Sequence, residues 1–157
     1  MNSQGKARAN ALPHFFKTNP LVLEFGDPVA IFAFRPEFFY SSIRGIRTIT
    51  PTANAFGLPV HSPYTSTETT PMAQLVLSQP EYDGKTVLIC WEHNNMGNLV
   101  TAFGAPTPPH YPGSRFDLVY KITFTDPDRP TFCCALQELM SDDSSTPPKG
   151  FTMCPRP

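Results

Sequence analysis

Two short stretches hold the side chains that could do chemistry. In VLICWEHNN, residues 87–95, five apolar residues stop abruptly in Glu92, His93, Asn94 and Asn95. The chain there passes from a strand suited to burial into ionisable and hydrogen-bonding groups. In SSIRGIRT, residues 41–48, the arginines are Arg44 and Arg47. A planar guanidinium grips phosphate oxygens through paired hydrogen bonds and stays charged at any working pH. Both stretches suit an anion. Each also has a plainer reading. Asn94 and Asn95 can simply cap a helix, His93 can be a surface residue, and the arginines can be solvated. Ser41 and Ser42 suit a cap or a turn.

The surrounding elements decide whether these residues can meet. VAIFAF, residues 29–34, and KTVLICW, residues 85–91, read as buried strands. Residues 3–16 favour helix until Pro13 ends or kinks it. Residues 46–56 read as a helix closed by Gly57, with its start at Thr50 so that Pro51 falls in the first turn. Residues 59–66 read as loop. Residues 68–78 form a helix with Pro71 near its start, and a further helix runs from about Asn95 to Gly104. FDLVYKITF and TFCCALQEL are two strands joined by a DPDRP turn. Strands separated by helices give an α/β fold, a mostly parallel sheet flanked by helices in three layers, with the last two strands as an antiparallel hairpin at one edge. In such a sheet ligands bind outside the carboxyl ends of strands, near helix N-termini. His93 falls at such an end.

Composition narrows the function classes. The 157 residues suit one domain, and 40% hydrophobic against 16% charged residues is enough to build a core. A net charge of -1 offers no surplus of cations for nucleic acid or an anionic membrane. No run approaches the ~18 apolar residues of a membrane span. The four cysteines, Cys90, Cys133, Cys134 and Cys154, make no C-x-x-C pair, so a zinc site is not expected; no other metal and no cofactor is assigned. Cys133 and Cys134 would point to opposite faces of a strand. All four read as reduced packing residues of a cytoplasmic protein. The domain is taken as residues 1–142, with 143–157 as a mobile tail.

RGIRTITPTANAFGLPV, residues 44–60, is similar to a pattern of the histidine phosphatase superfamily, the phosphoglycerate-mutase-like proteins. That pattern is an arginine, two residues, Gln-Thr-Ala, a helix and Leu-Gly-Leu-Pro-Val. Arg44 falls on the phosphate-binding arginine and Thr48 on the threonine. Arg47 stands where glutamine is usual, and Ile49 replaces alanine. GKTVLICWEHNN, residues 84–95, looks like the family's later strand and its second catalytic histidine, which would be His93. The resemblance covers most of residues 3–142. It implies phosphate-ester hydrolysis through a phosphohistidine, with Arg44 and His93 holding phosphoryl oxygens and a phosphorylated small molecule as the ligand; beside them Asn94 could donate to a phosphate oxygen or cap the helix.

The departures from the family concern catalysis. The family's nucleophile is a histidine in an Arg-His-Gly motif ending the first strand, and this chain has no Arg-His-Gly. His14, His61 and His110 do not follow a strand in the required way. NSQGKARANAL resembles the segment that follows the motif, so the first, central strand is missing. Its absence would leave two neighbours with unpaired backbone groups and a gap in the core. The chain is expected to be an inactive relative, or a model clipped at its start. The acid is open between Glu92 and Glu68. Neighbouring strand residues face opposite ways, which counts against Glu92 beside His93. Glu68 at a helix start also suits the helix dipole. The alternative function is a non-catalytic module binding an anionic ligand or partner.

Overall fold

The computed structural model describes residues 1–37 and 43–156. The elements in chain order are α1 (Ser3–Thr18), α2 (Pro20–Leu23), β1 (Pro28–Ala33), α3 (Arg44–Phe56), β2 (Val60–His61), α4 (Thr69–Leu77), β3 (Thr86–Cys90), α5 (His93–Ala102), β4 (Leu118–Thr123) and β5 (Thr131–Leu136). Strands β2, β1 and β3 form a parallel sheet with β1 in the middle, and β4 and β5 form a separate antiparallel sheet. The architecture is α/β. Among the described residues, no helix is long and apolar enough to cross a membrane.

The alternation of a strand's side chains splits the core about β1. Ile31 and Ala33 pack with Leu12, Phe15 and Phe16 of α1 and with Ile49 and Ala53 of α3. Ala30, Phe32 and Phe34 pack instead with Met72 and Ala73 of α4, Trp91, and Leu99 and Phe103 of α5. A third cluster joins the hairpin to Tyr111, Phe151 and Met153.

Several sequence expectations change. Pro13 does not end α1, which runs on to Thr18. Phe15 and Phe16 beyond it are buried, and at ~2 kcal/mol or more for each ring this outweighs the ~3 kcal/mol of an internal proline. Helix α3 starts at Arg44, not Thr50, with Pro51 inside it. Proline removes the bond to the carbonyl four residues back, and that carbonyl belongs to exposed Arg47, where water can serve it. The stretch read as loop contains β2, too short to show a pattern, which pairs with Ile31 and Phe32. The hairpin is not an edge of the parallel sheet.

The cysteine reading is corrected at two positions. Cys133 and Cys154 form a disulfide, while Cys90 and Cys134 are free. Disulfides persist in oxidising compartments, so a cytoplasmic location loses the support of four reduced thiols. The same bond fastens the stretch set apart as a tail. Cys134 N–H donates to Thr152 O at 2.8 Å, and Cys154 N–H to Cys134 O at 2.9 Å. Arg115 donates to the carbonyls of Ser144 and Thr146.

Candidate anion site at the carboxyl edge of the sheet

Because β1, β2 and β3 are parallel, their carboxyl ends share one edge. Beyond β1 comes Arg35, beyond β2 the turn Thr65–Glu68, and beyond β3 Glu92 and His93. Arg35 N–H donates to Tyr64 O at 2.6 Å, and its guanidinium lies 3.7 Å from Glu68. Glu68 Oε2 accepts from Thr65 N–H at 2.8 Å and Thr65 Oγ1 at 3.0 Å. These bonds, with Arg35 adding charge, hold the Glu68 carboxyl below its ordinary value. A carboxyl stabilised as its anion is poorly suited to protonate a leaving group near neutral pH. It acts here as an anchor for Arg35. Arg35 is the edge residue that sequence reasoning misses, although VAIFAFRPE stops a buried strand in charge just as VLICWEHNN does.

Trp91 ties the ends of β2 and β3 together. Its Nε1–H donates to Ser66 O at 2.9 Å, and its ring meets Phe34 edge-on at 6.2 Å. After Cys90 the chain leaves the strand, so Glu92 and His93 are not neighbours in a strand. Glu92 is the N-cap of α5, the role the sequence reading offers to Asn94 and Asn95. Its Oε1 accepts from Asn94 N–H at 3.1 Å and Asn94 Nδ2 at 2.9 Å, and its Oε2 accepts from Asn95 Nδ2 at 3.1 Å. His93 Nδ1 lies 3.3 Å from Glu92 Oε1. Glu92 therefore shares the surroundings of His93, and the α5 N-terminus already holds a carboxylate of its own.

His93 and Asn94 line a cleft of about 230 Å³ with Asn98, Thr107, His110 and Tyr111. The His93 and Tyr111 rings are 6.0 Å apart. His110, set aside in the sequence because it follows no strand, reaches this cleft from the proline-rich loop. His14 is exposed on α1, and His61 packs against Phe32 at 5.5 Å.

Arg44 is not among the residues lining that cleft. It is the first residue of α3 and is exposed. This N-terminus differs from that of α5. Ile43 caps it without a side-chain hydrogen bond, and its first turn contains no acid. Arg44 and Arg47 both sit in the opening turn, beside the helix dipole's positive end, where cations are unfavourable. Ser41 and Ser42 lie outside the described residues. Gly45 explains how α3 seats here: an added Cβ would lie 2.5 Å from Phe34 Cε1. Among the described residues, no group of three or more His, Cys, Asp or Glu is placed to hold a metal ion. Comparison with protein-family models, with curated proteins and with solved structures finds no match to this chain.

Proposed function

We propose that the carboxyl edge of the sheet binds a phosphate-like anion, and that this chain is a histidine-phosphatase-like binding module that does not turn over phosphate esters. The observation that carries the reading is the α3 N-terminus. Two arginines lie in the opening turn of a helix whose first turn holds no acid and whose N-cap, Ile43, makes no side-chain hydrogen bond. An anion there would meet the positive end of the helix beside Arg44 and Arg47. His93 and Asn94, beyond the adjacent strand β3, would add donors to a bound phosphate ester.

The resemblance to histidine phosphatases supports Arg44 and His93 in these roles. Because the chain contains no Arg-His-Gly, the proposal is binding in place of covalent hydrolysis. The finer architecture of that reading, a sheet flanked by helices in three layers, belongs to the same proposal.

The test is thermal unfolding in inorganic phosphate. A rise in Tm at millimolar phosphate, lost in Arg44→Ala and weakened in His93→Ala, is expected. No shift would overturn the site. Hydrolysis of p-nitrophenyl phosphate that disappears in His93→Ala would keep the site but overturn the binding-only role.

A further inference from the structure

The cleft at His93 has two walls. Helix α5 supplies one, with Asn94 and Asn98, and the loop through Thr107, His110 and Tyr111 supplies the other. The loop wall is backed by the stretch 147–154. Gly150, at φ 84°, runs against Pro109, where an added Cβ would lie 3.5 Å from Pro109 Cγ. A series of rings carries the backing inward. Between centroids, Phe151 lies 5.9 Å from Tyr120, Tyr120 5.7 Å from Tyr111, and Tyr111 6.0 Å from His93. Packed side chains of this kind transmit a displacement from one end to the other. Met153 joins the same cluster, as does Met96 of α5. The Tyr111 hydroxyl accepts Leu118 N–H, which ties the loop to the hairpin.

The stretch is a strap fastened at both ends. At one, Arg115 donates to the carbonyls of Ser144 and Thr146 and is itself paired with buried Asp117. At the other are the Cys133–Cys154 disulfide and two main-chain bonds to Cys134. Without the disulfide, that end keeps only those two bonds and the packing of Phe151 and Met153. The clusters about β1 are built, among the described residues, without any part of the strap. Releasing it therefore leaves the parallel sheet and its helices packed, and loosens the hairpin cluster and the loop wall. The disulfide is open from one side, since Cys133 is half-buried whereas Cys154 is 8% exposed.

We propose that Cys133–Cys154 is a thiol-exchange site that governs the His93 cleft: a dithiol opens the disulfide, the strap lifts, and the loop wall at Tyr111 loses its backing. A thiolate of the dithiol attacks Cys133 Sγ, the S–S bond breaks, and Cys154 leaves as thiolate. The second thiolate of the dithiol then attacks the dithiol sulfur of the mixed disulfide and expels Cys133. The dithiol ends as a cyclic disulfide, oxidised by two electrons, and each cysteine takes up one proton to end as a thiol. What changes is the shape of the cleft, so the inference is independent of the anion reading.

The test is heteronuclear NMR on the full chain with and without dithiothreitol. Reduction should move the amide signals of Cys134, which bonds Thr152 O, and of Leu118, and the ring signals of His93 as the Tyr111 ring shifts. Ile31 in β1 should keep its position. Cys154→Ser should give the same pattern without reductant. Phe151→Ala should move Leu118 and His93 with the disulfide intact, because it breaks the series of rings. Unmoved Leu118 and His93 signals after complete reduction would overturn the proposal, for the disulfide would then only staple the chain. So would an unfolded spectrum on reduction, or a disulfide that dithiothreitol opens only in urea.

Discussion

The guanidinium of Arg8 and the carboxylate of Asp143 meet from opposite ends of the chain. Nη1 donates to Oδ2 at 2.9 Å, Nη2 pairs with Oδ1, and the two side chains are 10% and 5% exposed. Asp143 Oδ2 also accepts the N–H groups of Leu139 and Met140. Arg8 is the main cause that pulls the Asp143 pKa down to about 2 from 3.8, with the Met140 and Leu139 amides adding and burial opposing. A folded-state pKa below the unfolded one gives stability that is full above about pH 4 and lost as pH falls toward 2. Asp143→Asn should therefore cost about 3 kcal/mol at pH 7, because it leaves a buried arginine unpaired. It should also flatten the acid limb of stability between pH 4 and pH 2. Urea unfolding of both proteins across that range checks this.

How far these contacts were legible in the sequence depends on their range. The alternation at Cys133 and Cys134 places the two side chains on opposite faces, and the structure uses one for the disulfide and buries the other. The partner of Cys133 was not legible, because SDDSSTPPKGF has no period to reveal its path. Gly57 and Gly104 were legible as helix ends, and both take positive φ, 66° and 84°. Glu92 as the cap of α5 was not, since the role of that residue depends on whether β3 stops before or after it. The apolar run continues through Trp91, but the strand stops at Cys90. Arg44 and Arg47 were legible as a pair, whereas their place inside α3 was hidden by Pro51, which argues locally for a later start.

Gly45→Ala should act on the α3 N-terminus without touching either arginine. The new methyl would meet Phe34, whose ring is held against Trp91. Overpacking of this kind costs about 1–3 kcal/mol. Lifting α3 off Phe34 should also weaken the phosphate-dependent Tm shift. Phe34→Leu in the same chain should restore part of both losses, which a general unfolding defect would not allow.

The disulfide has a chemical signature and a thermodynamic one. Denatured, unreduced protein should expose two thiols, Cys90 and Cys134, and reduced protein all four. In the folded state both free thiols should label slowly, because burial pushes each pKa up to about 12. Cys154→Ser frees a loop with a sequence separation of 21, and a loop of that size is worth about 3 kcal/mol. Reductant should lower the stability of the parent by a similar amount and leave Cys154→Ser unmoved. Four labelled thiols in denatured, unreduced protein would return the chain to the reduced reading.

The sharpest test of the anion site sets stability against binding at Arg47. Arg47 is exposed in the opening turn of α3, a turn that contains no acid. Removing a cation from the positive end of a helix dipole should stabilise the free protein by about 0.3–1 kcal/mol. Arg47→Gln should therefore raise Tm in phosphate-free buffer. If the cation is there for an anion, the same change should shrink the rise in Tm on adding phosphate. The curves of parent and variant would then converge as phosphate increases, since linkage adds stability only to the form that binds. A parallel offset at every phosphate concentration would mean that Arg47 opposes the dipole without serving a ligand. Repeating the titration at high salt separates the two causes, because the dipole effect is screened, while paired guanidinium–phosphate hydrogen bonds keep a part that depends on geometry.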